Sequence, residues 1–256
     1  MEWYLYPAVV AAGFACGFIN TLAGSGSLIT LPLLIFLGLP ATVANGTNRV
    51  AILLQNIVAV SSFKHQKVLD LKNGLTLAIP AIIGSILGAQ IAVNLNEDIM
   101  RKTIGFLMVV MLFLILLRPK RWLEGRPEDM NKRFWLKMII FFAVGMYGGF
   151  IQAGVGFFLI ASLVLGAGFD LVRANAVKNL IILCFTIFAL AIFVFNDQVR
   201  WEIGLILAIG NMSGAAIAAR LAVKKGAMFV RYVLIAVVIV AAIALLDIHK
   251  IVAGLF

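Results

Sequence analysis

The chain has 256 residues, 63% of them hydrophobic and only 12% charged, with a mean hydropathy of +1.10, which excludes a soluble globular domain. Apolar runs such as 99–117 and 229–246 approach the roughly 20 residues needed to cross a bilayer, so the sequence predicts an all-α polytopic membrane protein; the short alternating segments of a β-barrel do not occur. The net charge of +10 lies mostly between apolar runs, where it reads as a topology signal rather than a nucleic-acid surface.

The predicted elements begin with a segment over 5–22, preceded by "MEWYLYP", which lacks the basic start of a cleavable signal peptide. The stretch "LAGSGSLITLPLL" (22–34) then interrupts the apolar run with Gly24, Ser25, Gly26 and Ser27, and a short second segment follows over 27–39. A third segment over 45–63 opens with "ANGTNRVAILLQN". The fourth covers 74–95 and the fifth 99–117. After the basic stretch 118–134, five further segments are predicted over 135–152, 157–168, 175–195, 201–223 and 228–246.

The second five repeat the first at a fixed offset of 130 residues. Gly24 and Gly26 align with Gly154 and Gly156, Ala44-Asn45 with Ala174-Asn175, Gly84 with Gly214, and Arg101 with Arg231. The chain therefore divides into a first membrane repeat (1–117), a basic cytoplasmic linker (118–134) and a second membrane repeat (135–256). With the linker inside, alternation puts the basic loops 64–72 and 224–231 in the cytoplasm and both termini outside. An odd number of crossings per half makes this an inverted-topology repeat, a layout of many secondary transporters. The short second segments either cross or pair with the first segments as re-entrant hairpins, and the inversion fails only if segments one and two form one broken span.

Irregular backbone at membrane depth survives only where it is buried in protein or lines a cavity. The breaks "AGSGS" and "AGVGF" (153–157) are therefore expected to line a polar site. Each short segment starts with free N–H groups at the positive end of a helix dipole. Glycines let a ligand approach closely, and Ser25 and Ser27 add hydroxyls, a combination suited to a small anion. The bland alternative is that the glycines only permit tight helix crossing. Segments three and eight each carry a cation and an asparagine near their start, Asn48-Arg49 and Lys178-Asn179. Such cations either face the cavity or snorkel to the interface. Asn20 and Gln152 precede the breaks and can supply amides. The substrate-binding set expected is thus Asn20, Gly24, Ser25, Gly26, Ser27, Asn48, Arg49, Gln152, Gly154, Gly156, Lys178 and Asn179.

Gln55 and Asn56 sit deeper and read as interhelical hydrogen bonds in preference to a one-sided polar lining. Gly84 and Gly88 read as close packing. Asn211 and Ser213 could also face the pathway. Arg220 reads as a snorkelling residue, and Cys16 and Cys184 as apolar packers. His65 and His249 lie in loops and no acid lies deep in a span, so no metal, cofactor or catalytic group is expected.

These motifs resemble the TauE/SafE sulfite exporter family: the glycine-rich break with Pro32 after it, the short helix ending near "GLP", the third segment opening at "ANGTNR", and the second copy "GGFIQAGVGFF" followed by "GAGFDLVRANAVKNL". The family's glycine run is here G-S-G-S and G-V-G-F, and Ser162 stands opposite Pro32. The resemblance implies a transporter in the inner membrane that exports sulfite or a small organosulfur anion by alternating access. An uptake carrier or channel for a sulfonate or carboxylate is the alternative, and an integral membrane enzyme the remote one. The expected partners are the small anion and membrane lipid, not nucleic acid, with a homo-oligomer left open.

Overall fold

The computed structural model describes residues 5–116 and 134–245. The basic linker up to residue 133 and both chain ends, with the expected placement of the termini, lie outside the described residues. The elements are α1 (Leu5–Leu22), α2 (Ser27–Phe36), α3 (Ala41–His65), α4 (Leu71–Val93), α5 (Glu97–Leu116), α6 (Phe134–Phe150), α7 (Val155–Ala161), α8 (Leu171–Phe195) and α9 (Trp201–Leu245), with no strand among the described residues. A π-helical turn, Ser162–Gly166, continues α7. It begins at the position that Pro32 occupies in α2, so the short segments lose regular helical bonding at matching points. Helix α9 is interrupted at Gly226, whose φ of 70° and ψ of −168° are not helical, so its continuation corresponds to the expected last segment.

Local signals explain the ends. The Asp70 carboxylate accepts from the N–H of Asn73 to start α4, and Asp170 accepts from Val172 and Arg173 to start α8. Helix α3 starts behind Pro40 and is capped from outside, by Glu97 of α5 on the N–H groups of Ala41 and Thr42. Left-handed backbone recurs at the repeat offset: Gly24 and Gly154, Gly38 and Gly168, Lys67 and Asp197 all have positive φ.

The chain reverses the surface of a soluble protein: it is apolar outside, with polar as well as apolar side chains inside. Asn20, Asn45, Arg49, Gln55, Lys178 and Asn179 are buried, while Ile79, Ile83, Ile209 and Phe188 are exposed. That reversal suits hydrocarbon as the surrounding solvent, and the chain is a membrane protein. Helices α4 and α8 and the stretch Trp201–Val230 are long and apolar enough to span by composition. Helix α3, at 25 residues, is as long as α8, but its inward Asn, Arg and Gln residues lower its hydropathy. Helices α2 and α7, with 10 and 7 residues, rise only about 15 and 10 Å and cannot cross. Both double back. The Thr30 hydroxyl lies 3.7 Å from the Cys16 thiol of α1, and the Phe158 ring stacks edge-on against Tyr147 of α6 at 5.4 Å. Each short helix thus forms a hairpin with the helix before it.

Two triplets form the body. Helices α1, α3 and α9 run parallel: Val10 meets Gly210 and Phe18 meets Gly214, while Val50 meets Gly204 and Gln66 reaches Ala219. Helices α6, α4 and α8 form the second parallel set, with Ala81 on Gly145, Met146 on Gly88, Gly74 on Leu180, and Ser85 on Gly149 and Phe185. The triplets oppose each other. Arg49, early in α3, reaches the Gly148 level where Phe185, just past the middle of α8, also packs; Lys178, early in α8, reaches the Asn20 level of Gln55, just past the middle of α3.

Glycines set the contact distance within each triplet. A Cβ at Gly84 or Gly88 would strike the backbone of Phe142 or Met146, and one at Gly145 or Gly149 the backbone of Ala81 or Ser85. This is small-residue packing, which replaces the missing hydrophobic drive between helices in lipid. Gly88→Leu is expected to cost about 1–3 kcal/mol or more by forcing α4 and α6 apart, read as loss of the monodisperse peak in detergent. Gly105→Leu, where nothing lies within 4 Å of a Cβ, is the control and leaves that peak intact.

Candidate functional site

The two breaks meet at the centre. A Cβ on Gly156 would lie 2.5 Å from the Cα of Gly24, so the peptide chains of α2 and α7 touch where each hairpin turns. Gly24 has φ +78° and Gly154 φ +73°, a conformation that a side chain disfavours. Beside this contact lies a cavity of about 10 Å³, the space of one water at most. In this conformation the space is too small for a larger solute.

Of the expected residues, Asn20, Gly24, Ser27, Gln152 and Gly156 line the cavity. Ser25 is buried within the break, 4% exposed, without being part of that lining. The Gly26 N–H is already used, donating to Asn20 Oδ1 at 2.8 Å. Asn48 accepts from the Thr30 hydroxyl at 2.7 Å, and its own amide nitrogen is buried without a partner among the described residues. Asn179 donates to the Asn175 carbonyl at 2.7 Å and, more distantly, to that of Thr21.

The two cations neither snorkel nor stand free in the cavity; both are fully buried. The Arg49 guanidinium donates to the carbonyls of Gly148, Gly149 and Phe150, the last turn of α6, and lies 4.6 Å over the Phe193 ring. The Lys178 ammonium donates to the carbonyls of Asn20 (2.7 Å) and Thr21 (2.9 Å), the last turn of α1, and to Asn175 Oδ1 (2.9 Å). Three acceptors match the three donors of an ammonium group. Each cation thus closes the truncated helix of the opposite half, where orphan carbonyls and the negative dipole end gather. The Lys178 stem runs behind Gly156, 3.2 Å from a Cβ built there, which places its charge next to the cavity wall.

Gln55 and Asn56 belong to the lining, together with Ile52, Val155 and Ile182. Gln55 also makes the interhelical bonds read from the sequence: its Oε1 accepts from Asn20 Nδ2 (3.4 Å) and Asn211 Nδ2 (3.3 Å). A chain of bonds orients it, because the Gly26 N–H fixes Asn20 and Asn20 then fixes Gln55. Its NH2 group remains as a donor at the cavity wall with no partner among the described residues. Asn56 donates to Ile52 and leaves its Oδ1 unpaired; Gln152 donates to Thr186 and leaves its Oε1 unpaired; the Ser27 hydroxyl has no partner. The adjacent amides in "AILLQNIV" are the sequence signal for this lining, since a mid-span Gln-Asn pair has no lipid-facing use.

No group of three or more His, Cys, Asp or Glu that could hold a metal occurs among the described residues, and the buried polar groups include no acid. The arrangement gathers unpaired hydrogen-bond donors and acceptors around a space for one water, with positive charge held nearby.

Comparison with known proteins agrees over nearly the whole length. The family described as sulfite exporter TauE/SafE matches residues 9–245. The chain is 28% identical over 249 residues to "Probable membrane transporter protein ORF9" of Sinorhizobium, covering 96% of this chain and 94% of that protein. It is 29% identical over 237 residues to "Probable membrane transporter protein YfcA" of Escherichia coli, with 91% and 87% covered. A "Probable membrane transporter protein" of Haemophilus influenzae is 27% identical over 227 residues, with 89% of each chain covered. No solved structure matches.

Proposed function

The chain belongs to the sulfite exporter TauE/SafE family, and from that premise we propose that it is a secondary transporter that exports sulfite or a related small organosulfur anion across the inner membrane by alternating access. The observation that carries the anion reading is the charge balance at the centre. Arg49 and Lys178 bring two buried cations with no buried acid among the described residues. The helix ends they cap offset roughly half a charge each, so about one positive charge remains for a ligand to neutralise. The cavity wall offers donors (Gln55 NH2, Ser27 OH) and acceptors (Asn56, Gln152), the complement of a singly charged oxyanion that keeps one proton, such as hydrogensulfite.

The opposed triplets and the left-handed residues at a fixed offset support the inverted-repeat reading, with halves 1–117 and 135–256 about the cytoplasmic linker 118–134. In such a layout the halves exchange roles as the site opens to one face and then the other. A central space with room for one water at most favours a carrier over an open pore. An exported anion gains about 2.3 kcal/mol per charge per 100 mV when the inside is negative, so voltage alone suffices without a buried acid to relay protons.

The test is sulfite flux in proteoliposomes under imposed voltage, for wild type and Gln55→Glu. The substitution keeps an oxygen that accepts from Asn20 and Asn211 and puts a carboxylate oxygen, with its negative charge, where the NH2 donor stands. Saturable, voltage-sensitive flux in the wild type is expected, falling on the order of tenfold or more in the variant, through loss of one hydrogen bond to a charged ligand and repulsion of the anion. Wild-type sulfite flux equal to that of empty vesicles, with another small anion carried, overturns the substrate.

A further inference from the structure

A second and far larger space opens between α3 and α9. It is a groove of about 660 Å³ whose inner part is formed by Ile57, Val58 and Ala216 and whose mouth carries Ser61, His65 and Arg220. Ile57 follows Gln55 and Asn56 directly in α3, and Ala216 lies little more than a turn past Asn211, the partner of Gln55. Along α3 the groove thus begins within about one helical turn of Gln55, the residue that links α3 to α9 through Asn211.

The mouth is cationic and uncommitted. Arg220 and His65 make no hydrogen bond or ion pair among the described residues. Gln66, also at the mouth, is tied to Ser62 and to the Ala219 carbonyl and so holds the two helices together there. Lys64, Lys67 and Lys224 stand in the adjoining turns, and Asp70, an acid close by in the sequence, is engaged in capping α4.

Packing does not demand this polarity. At the equivalent places 130 residues away, Ser61, Ser62 and His65 become Ala191, Ile192 and Phe195, and Arg220 becomes Gln90. The other half builds the same helix pair, α8 on α4, with an uncharged end at these places. Topology does not demand it either, because the loop lysines already supply the cytoplasmic bias, whereas Arg220 stands a full turn inside Lys224. What remains is a one-sided basin that concentrates negative charge at the head of a path to the site.

We propose that this groove is a capture site for a small oxyanion, held by Arg220 with His65 and Ser61 as further donors, from which the anion passes along the α3–α9 seam to the central cavity. It rests on the anion-transport reading above and adds a second, outer site on one face only.

Two readouts test it on the full-length protein in vesicles. First, Ser61→Cys in a Cys184→Ala background is modified with an anionic and a cationic methanethiosulfonate in phosphatidylcholine vesicles. The anionic reagent is expected to react faster, relative to a free thiol, and that advantage falls on the order of threefold or more when Arg220→Gln is added. An unchanged ratio overturns the proposal. Adding phosphatidylglycerol separates the two sources of oxyanion: suppression of modification by both reagents assigns the groove to a lipid headgroup and overturns the proposal. Second, Arg220→Gln is expected to raise the KM for sulfite from the groove side about tenfold, the scale of one lost charged hydrogen bond, and to leave the KM from the opposite side unchanged. Equal effects from both sides, or none, overturn it. If the wild type carries no sulfite, the transport reading falls by itself, and the reagent ratio still decides whether the groove gathers anions.

Discussion

Arg49→Ala is expected to be the most damaging single substitution in the membrane core. The guanidinium is the donor for the Gly148 and Gly149 carbonyls and shares that of Phe150 with Asn45. Its loss leaves at least two buried carbonyls at the end of α6 unpaired, at about 1–3 kcal/mol each, and removes the contact with Phe193. Together these lower the melting temperature in detergent by roughly 10 °C and end transport. Lys178→Ala is expected to be milder in stability. The Asn20 carbonyl still accepts from the Gly24 N–H at 3.0 Å, and that of Thr21 keeps the Asn179 amide at 3.5 Å. Its flux is lost all the same, because it removes the charge beside the cavity. Equal melting temperatures for wild type and Arg49→Ala would mean that the cation does not hold the helix end.

The second large effect is at the meeting of the two breaks. Gly156→Ala puts a methyl group 2.5 Å from the Gly24 Cα and 3.2 Å from the Lys178 stem. Neither neighbour can yield, one being backbone and the other pinned by three hydrogen bonds. Gly24→Ala adds to the same collision the strain of a side chain at φ +78°. Flux is expected to fall about 100-fold in both, the scale on which small displacements of a binding site act. Gly38→Ala separates the causes. It has φ +88° but nothing within 4 Å of a Cβ, so it meets only the strain of roughly 1–2 kcal/mol and should transport normally. Loss of flux in Gly38→Ala would show that backbone strain alone, without the collision, is enough.

Most of the element map is legible in the sequence because helix ends and breaks are local events. The expected segment 5–22 coincides with α1, and the other segments agree to within a few residues. The breaks fall at Gly24–Gly26 and Gly154–Gly156 because the left-handed backbone at Gly24 and Gly154 favours glycine, a local preference. The offset of 130 residues, read from identities, returns in the positions of left-handed backbone.

The roles of the polar residues were decided by tertiary structure. Arg49 is one turn into its helix in the sequence, where cavity and interface are both open to it. Its partners Gly148 and Gly149 lie about 100 residues away on another helix. The partners of Lys178 lie 157 and 158 residues away. Gly26 offers a free N–H in the sequence and loses it to Asn20, six residues back, only because the hairpin folds α2 onto α1. Gln55 serves both as an interhelical link and as a wall of the site, and its sequence cannot separate the two. The physical reason is common to all four. Where the outer face of a helix meets lipid, it is as apolar as a packed face and leaves no simple amphipathic stripe to mark the inner one, so which face meets the centre depends on how distant helices cross it. Composition, breaks and repeat follow from the chain alone, whereas hydrogen-bond partners across the centre follow from packing.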